Sequence, residues 1–190
     1  LSNATIDENA NTGFTIGTFT SSSFDNYTGI YTYTVSVGSD KVAIFGSTLK
    51  SSASFNYEVT PSFEILVTST NNSGLSKVKS FTITVNNVNE IPTNLTLSQT
   101  TVNENVAIGT LVGTFATTDP DTGNTYTYTF INTPIDSTNK FDISGNKLIT
   151  KALLDYETMA SYAITVNSND GLNDISRNFT ITVNNVNEAP

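Results

Sequence analysis

The stretch TITVNNVNE occupies residues 82–90, and the same nine letters occur again at residues 180–188. In the first copy, together with the preceding Phe81, apolar residues alternate with threonines as far as Val85, which is typical of a β-strand with one buried face. A run of asparagines follows the strand, and each copy ends in a single acid, Glu90 or Glu188. The repetition of both the strand and its polar end indicates that a whole domain is repeated.

The repeat extends over most of the chain. ATIDENANTGFTIGTF at 4–19 aligns with TTVNENVAIGTLVGTF at 100–115, GIYTYTV at 29–35 with NTYTYTF at 124–130, and FNYE at 55–58 with LDYE at 154–157. The spacing between aligned segments varies by only a few residues, and changes of that size belong in loops. The sequence therefore predicts two copies of one domain, at residues 1–90 and 91–190.

The pattern within each copy predicts an all-β fold. Period-two alternation recurs at residues 126–130 and 162–166, and turn-forming sequences such as Asp121-Thr122-Gly123 and Ser144-Gly145-Asn146 separate the predicted strands. About seven short strands in roughly 95 residues are typical of an immunoglobulin-like sandwich. We expect two tandem Greek-key β-sandwiches of about seven strands each, joined near residues 89–93.

Composition excludes several functions. The 190-residue chain has a formal charge of −9 with only 8 basic residues, which argues against nucleic acid or an anionic membrane as a partner. Because the chain has neither Cys nor His, thiolate and imidazole metal ligands, a thiol nucleophile and a Ser-His-Asp triad are all excluded. No apolar run approaches the ~20 residues of a membrane helix. We therefore expect a protein that is not an enzyme and does not insert this segment into a membrane.

Five short motifs resemble those of cadherin repeats, in the bacterial cadherin-like branch of that family. In the second copy they are VNEN, DPDTGN, LDYE, SNDG and the closing NVNEAP. The family carries x-E-N, D-x-D, L-D-x-E, a D-x-x-G-like element and D-x-N-D-N-x-P in the same order. The resemblance covers essentially the whole chain, and it implies that calcium binds between successive repeats.

The resemblance implies ligands from three parts of the chain. The first repeat would supply Glu8, Asn56 and Glu58, and the connecting segment would supply Asn87, Asn89, Glu90 and backbone oxygens around Val88 and Ile91. The second repeat would supply Asp119, Asp121, Asp170 and a backbone oxygen near Asn124. Calcium takes six to eight oxygen ligands of these kinds, and a cation offsets the repulsion between gathered acids.

The number of acids sets the expected number of ions. Six of the implied ligands are carboxylates, and Asn56 stands where the fullest family sites have an aspartate. We therefore expect two calcium ions at the junction, with a third weak or missing. The first repeat keeps only Asp25 near its upper rim, whereas the second keeps half of another site: Glu104, Asp155, Glu157 and Glu188. This favours a segment taken from a longer array of repeats.

Simpler interpretations stand beside these. Asp119-Pro120-Asp121 and Asn169-Asp170-Gly171 could each be a turn, and only their combination with the glutamates favours calcium. An EF-hand is excluded because Phe130 stands where its bidentate glutamate is required. The Tyr-Thr-Tyr strands are expected to be core or surface sheet residues, although an exposed tyrosine ladder could bind sugar.

The expected function is structural. Calcium between the repeats would stiffen a hinge in a bacterial protein that is extracellular, secreted or on the cell surface, serving in adhesion or as a spacer. Two alternatives remain open: a carbohydrate-binding module of a secreted polysaccharide-degrading or attachment protein, and calcium-dependent homophilic adhesion. The expected partners are neighbouring repeats of the same chain and, beyond them, a cell-surface protein or polysaccharide.

Overall fold

The computed structural model describes residues 1–22 and 29–188. Asp25, expected near the upper rim of the first repeat, lies outside the described residues. The chain divides into two compact units, Leu1–Val88 and Asn89–Pro190. None of the helices in the described part of the chain is long and apolar enough to cross a membrane.

The first unit contains seven strands among its described residues. Its two sheets have the orders β1-β7-β6-β3 and β2-β5-β4, and β1 runs parallel to β7 while the other pairs are antiparallel. The strands are β1 (Thr5–Asp7), β2 (Thr15–Thr18), β3 (Tyr31–Val37), β4 (Val42–Phe45), β5 (Thr48–Ser51), β6 (Ser62–Asn71) and β7 (Ser76–Asn86).

The second unit repeats this topology with one added strand and one helix among its described residues. Its sheets have the orders β11-β14-β15-β9 and β12-β13-β10-β8. The elements are β8 (Asn94–Leu97), β9 (Thr101–Asn103), β10 (Leu111–Thr118), β11 (Thr127–Phe130), α1 (Ile135–Lys140), β12 (Phe141–Ser144), β13 (Lys147–Thr150), β14 (Ser161–Asn169) and β15 (Asp174–Asn184).

Each unit has its own core of alternating strand residues. In the first unit the Phe19 ring stacks on Tyr33 at 5.3 Å between centroids and contacts Phe81 at 5.6 Å. In the second, Phe115 stacks at 5.4 Å on Tyr128. The threonines of the repeated TITV segments point outward while the Ile and Val side chains are buried. The predicted all-β fold of two tandem sandwiches is confirmed.

The repeated Gly-Thr-Phe triplet is explained by a close backbone approach. A Cβ atom on Gly17 would lie 2.6 Å from the carbonyl oxygen of Asn3, and one on Gly113 would lie 2.6 Å from that of Gln99. Both glycines follow a register shift in the pairing of their strand, as expected for a β-bulge. Since any side chain would force the backbones apart, glycine is required twice.

The helix α1 is absent from the sequence prediction. It has only six residues, begins after Pro134 and contains no apolar periodicity that would predict a helix. Its position depends on a tertiary contact, because the Ser137 hydroxyl donates a 2.6 Å hydrogen bond to the Ala163 carbonyl of β14.

Candidate metal centre

Glu8 is a buried carboxylate that joins three segments of the first unit. It follows β1, and its side chain is only 3% exposed. Its Oε2 accepts a 2.8 Å hydrogen bond from the Tyr57 N–H, and its Oε1 accepts one of 2.8 Å from the Val88 N–H. The glutamate predicted as a ligand therefore also fixes the segment that leaves β7.

Glu58 lies beside Glu8. The two side chains each offer a carboxylate oxygen within 4.8 Å of the other, and the Asn87 amide donates to Glu58 Oε1 at 3.3 Å. Asn56 serves the local turn, since its Oδ1 accepts the Val59 N–H at 2.8 Å. The first unit thus gathers two acids and two amides at the end from which the chain continues.

The second unit holds its first residues, Asn89 and Glu90, against two of its loops. The Glu90 N–H donates to Asp121 Oδ2 at 2.7 Å, and the Asn89 amide donates to Asp170 Oδ2 at 3.0 Å. The Asn173 amide donates to the carbonyls of Asn89 and Glu90 at 3.4 and 3.3 Å. Glu90 and Asp121 also offer carboxylate oxygens within 4.8 Å of each other.

Asp119 provides the test of whether a cation fits. Its Oδ1 accepts the Asp121 N–H at 3.0 Å, while its Oδ2 is buried without a hydrogen-bond partner among the described residues. No lysine or arginine of the described chain forms an ion pair with Asp119, Asp121 or Asp170. A buried anionic oxygen without a donor is costly, and a bound cation would satisfy it. The residues present fit calcium.

Asn124 lies near the same loop. Its amide Nδ2 is buried without a hydrogen-bond partner among the described residues. An asparagine amide rotated by 180° exchanges its nitrogen and oxygen, so the side chain can offer an oxygen ligand here. The sequence predicted a backbone oxygen near Asn124 as the calcium ligand, whereas in the structure it is the side-chain amide that lacks a hydrogen-bond partner. Ile91, predicted to offer a backbone oxygen, has a side chain that is 63% exposed.

Asp170 closes a turn after β14. Its Oδ1 accepts the N–H groups of Leu172 and Asn173, both at 2.7 Å. These bonds and the Asn89 amide favour the charged form and lower the pKa of Asp170 below its ordinary value of 3.8. In the first unit the neutral Asn71 closes the corresponding turn, with its Oδ1 accepting two N–H groups. The turn therefore requires only an oxygen acceptor, and the charge of Asp170 is available for another purpose.

Tyr126 lies close to Asp119 of the candidate site, whereas the sequence predicted only that this tyrosine belongs to the sheet. Burial, and then the negative charge of Asp119, raise the pKa of the Tyr126 phenol. Its side chain is half-buried, and the residue lies two positions after Asn124, directly before β11. The alternation of the Tyr-Thr-Tyr segment indicated a strand and gave no signal for this contact.

The second unit has another acidic group at the end of β9. Glu104, Asp155 and Glu157 each offer a carboxylate oxygen within 4.8 Å of the others. Glu104 is 2% exposed, and its two oxygens accept the N–H groups of Tyr156 at 2.7 Å and Val186 at 2.8 Å. This repeats the arrangement of Glu8 in the first unit.

The other members of this group are held by local polar contacts. Both oxygens of Asp155 are bound by Thr158, through its N–H at 3.0 Å and its hydroxyl at 2.8 Å, and the N–H contributes most to lowering the pKa of Asp155. The Asn185 amide donates to Glu157 at 2.9 Å, and the Asn105 amide donates to Glu188.

Sequence reasoning missed the asparagines that orient these groups. Asn173 binds the carbonyls at the start of the second unit, and Asn105 and Asn185 bind the acids at its far end. The available signals were weak: Asn105 follows Glu104 in the x-E-N motif, and Asn185 lies within the repeated NNVNE. An asparagine-rich chain offers too many such residues for composition to distinguish them.

Comparisons with known proteins agree with the fold. Residues 98–185 match the family model described as Cadherin domain. The EC1-2 segment of human protocadherin-24 has a TM-score of 0.81 and 16% identity, over 97% of this chain and 95% of that one. Mouse cadherin-23 EC22-24 has a TM-score of 0.75 and 22% identity, over 97% of this chain and 64% of that one. Comparison with curated protein sequences gives no match.

Longer cadherin structures match as well. Protocadherin gammaB7 EC3-6 has a TM-score of 0.73 and 20% identity, over 99% of this chain and 46% of that one. The chain therefore spans about half the length of that relative. At these identities the likeness is one of fold, and the family match falls on the second unit. Residues 98–185 of the second unit match the Cadherin domain model, and the chain as a whole has the fold of cadherin repeats in tandem.

Proposed function

We propose that this chain binds calcium at the connection between its two domains and that binding stiffens the connection. The observation that carries the proposal is the buried Oδ2 of Asp119, which has no hydrogen-bond donor among the described residues. Asp121, Asp170 and Glu90 lie in the same acidic region of the second unit. Carboxylate, amide and backbone oxygens are the ligands that calcium prefers.

The first domain contributes the other half of the proposed ligand set. Glu8 and Glu58 lie at the end where Val88 continues into Asn89. A cation held by carboxylates of both domains restricts the connecting residues to one conformation, because its binding energy is lost when the two halves separate. Two ions would neutralise four of the six carboxylate charges. The neutral Asn56 leaves a third ion weakly bound.

The proposed setting rests on this chemistry together with the resemblance to bacterial cadherin-like repeats. Sites assembled from two separate domains suit the millimolar calcium found outside cells, where the affinity of extracellular modules is modest. We place the chain in a bacterial surface or secreted protein, as a spacer or adhesive segment within an array of such repeats. The second acidic group, around Glu104 and Asp155, would serve a following repeat in the same way.

Calcium titration of Asp119→Asn tests the proposal. Asparagine keeps the Oδ1 acceptor for the Asp121 N–H and removes only the oxygen that lacks a partner. We expect calcium affinity to fall by at least about 10- to 100-fold, since that is the usual effect of losing even an indirect metal contact. The fold should be unchanged because the Asp121 N–H keeps its acceptor.

Asp142→Asn is the matched control. Asp142 is exposed, and its Oδ1 also accepts a neighbouring N–H, that of Ile143 at 2.9 Å, but it belongs to no acidic group. Calorimetry measures affinity, and small-angle scattering measures the spread of end-to-end distances with and without calcium. Absence of binding heat in the unaltered chain, or equal calcium affinity in the two variants, would refute the site. Binding without a narrower distance distribution would refute the stiffening.

Calcium-dependent association of copies is a second candidate. The observation in its favour is that protocadherin gammaB7 is described as forming a cis-dimer, which is a property of that protein. Sedimentation of this chain with calcium tests it, and a monomer at high concentration would exclude it. Carbohydrate binding stays a prediction.

A further inference from the structure

Three hydroxyl groups meet between the two sheets of the second domain. The Thr117 Oγ1 lies 3.1 Å from the Tyr128 hydroxyl oxygen and 2.7 Å from Ser168 Oγ, and both contacts are hydrogen bonds. Thr117 belongs to β10 in one sheet, whereas Tyr128 of β11 and Ser168 of β14 are paired neighbours in the other. These three residues, which we call the hydroxyl cluster, therefore join the two sheets by hydrogen bonds.

Burial makes the hydroxyl cluster costly to break. The Ser168 side chain is 0% exposed, and the Tyr128 ring stacks on Phe115 at 5.4 Å between centroids. A buried hydroxyl that loses its partner is unfavourable, because neither protein nor water then satisfies it. The stack also fixes the direction in which the Tyr128 phenol points. Each hydroxyl of the hydroxyl cluster is thus held in place by its neighbours.

The hydroxyl cluster lies next to the two acidic loops of the candidate site. Asp119 follows Thr117 by two residues, and Asp170 follows Ser168 by two residues. Each acid is the first residue after its strand. Because an extended chain advances about 3.3 Å per residue, each acid lies within about 7 Å along the backbone of a hydroxyl that bonds across the sheets. A shift of β10 against β14 would therefore separate the two acids.

Asn89 and Glu90 connect the same two loops by another route. The Asn89 amide donates to Asp170 Oδ2, and the Glu90 N–H donates to Asp121 Oδ2, while Asp119 Oδ1 accepts the Asp121 N–H. The loops are thus linked through the first residues of the domain and, at the strand ends, through the hydroxyl cluster. Two separate links are what a site with fixed ligand positions requires.

The first domain has the same cluster without the acids. The Ser21 Oγ lies 2.8 Å from Ser69 Oγ, and the Tyr33 hydroxyl donates to Ser21 Oγ at 3.2 Å. Tyr33 and Ser69 are paired on neighbouring strands, as Tyr128 and Ser168 are in the second domain. Two residues after Ser69 stands the neutral Asn71. The first domain therefore serves as an internal control, in which the cluster joins sheets but holds no acids.

We propose that the hydroxyl cluster of the second domain positions the carboxylates of Asp119 and Asp170 relative to each other, with Thr117 as the positioning residue. Thr117 acts through the backbone, by holding the end of β10 against the end of β14. The inference rests on the proposed function, in which these two carboxylates bind calcium. Groups that orient metal ligands without touching the metal contribute about 10- to 100-fold to affinity.

Two substitutions at Thr117 separate its hydroxyl from its shape. Thr117→Val keeps the branched side chain and removes the shared oxygen, whereas Thr117→Ser keeps the oxygen, as Ser21 does in the first domain. Tyr128→Phe is a second way of breaking the hydroxyl cluster, and it keeps the stack on Phe115. Ser69→Ala breaks the equivalent cluster of the first domain and is the control for the loss of such a bond elsewhere.

Amide hydrogen exchange in a chelator measures positioning without any metal. The N–H groups of Asp121, Leu172 and Asn173 bind the two acids, and in Thr117→Val they should exchange about 10-fold faster, the effect expected when one buried hydrogen bond is lost. Thr117→Ser should match the unaltered chain. The Tyr156 N–H, which binds Glu104, is the reference and should change less.

Calorimetry then measures calcium affinity below the melting temperature of every variant. Thr117→Val should bind about 10-fold more weakly, Tyr128→Phe should change in the same direction, and Thr117→Ser and Ser69→Ala should bind like the unaltered chain. This pattern, together with faster exchange confined to the loops, supports the inference.

The opposite results are equally specific. Unchanged loop exchange in both Thr117→Val and Tyr128→Phe, or a Tyr156 N–H that accelerates as much as the loops, overturns the positioning role. Faster loop exchange with unchanged calcium affinity overturns the link between Thr117 and the ligands. Faster loop exchange in a chain that shows no binding heat even when unaltered supports the positioning of the loops and refutes the proposed function instead.

Discussion

Replacement of Glu104 by glutamine tests whether the buried glutamate holds the second domain together independently of calcium. Glu104 accepts one backbone N–H with each oxygen, from Tyr156 and from Val186, and is 2% exposed. A glutamine amide has one oxygen and one NH₂ group. Whichever way it turns, one of these two N–H groups then faces a donor.

The expected cost follows from those contacts. One charge-assisted hydrogen bond is lost and one buried donor is left unsatisfied, which together cost about 2–4 kcal/mol. For a domain of about 100 residues this corresponds to a fall in melting temperature of roughly 10–20 °C. The loss should be largest at the segment after β15, because the bond from the Val186 N–H to Glu104 links that segment to the end of β9.

Thermal unfolding and amide exchange in a chelator provide the measurement, so that calcium makes no contribution. Glu157→Gln is the matched control: among the described residues this exposed glutamate accepts a hydrogen bond from the Asn185 amide through Oε1, and glutamine keeps an acceptor there. Its melting temperature should stay within about 2 °C of the original. If Glu104→Gln melts like Glu157→Gln, the glutamate does not act as the structural acceptor described above.

Three further results are expected. Leu95→Ala should destabilise the second domain by about 2–5 kcal/mol in thermal unfolding, because its side chain is fully buried; a smaller loss would mean that β8 contributes little. The carboxyl ¹³C signal of Asp170 should titrate below pH 3.8. The stability that Asp170 contributes to the second domain is therefore complete above its unfolded pKa and is lost as pH falls through the lower folded pKa. Asn89→Ala should raise the titration midpoint, and an unshifted midpoint would contradict the hydrogen bond from Asn89 to Asp170. Terbium bound in place of calcium should emit when tyrosine is excited, and Tyr126→Phe should remove most of that emission while Tyr31→Phe leaves it.

The fold could be predicted because a sandwich strand has a clear period. In β7 and β15 one face is buried and the other carries threonine, so the sequence alternates visibly. The helix α1 depends on a contact from Ser137 to another strand, and no local pattern encodes that contact. Similarly, the alternation of Asn94–Leu97 spans only four residues, too few to separate a strand from a loop.

The sequence identified the acids of the candidate site as potential metal ligands, but it could not predict which backbone groups each of them binds. Spacing in the chain brought Glu8, Glu104 and Asp121 to attention as potential ligands. It gave no indication that the two glutamates each accept two backbone N–H groups, or that Asp121 accepts the Glu90 N–H. Those roles depend on the orientation of backbone groups that come together only in the folded domain.

Comparison of the two domains distinguishes the role of these acids as hydrogen-bond acceptors in turns from the role of their negative charge. Asn71 closes the turn that Asp170 closes, and Asn56 Oδ1 accepts an N–H as Asp155 Oδ1 does. Since a neutral side chain suffices at both places, turn formation does not explain why Asp170 and Asp155 are charged. Each charge adds repulsion in a protein of net charge −9. A cation that uses these oxygens would supply the missing reason. Asp170→Asn should therefore lower calcium affinity in calorimetry while thermal unfolding in a chelator stays unchanged, because Asn71 closes the same turn without a charge.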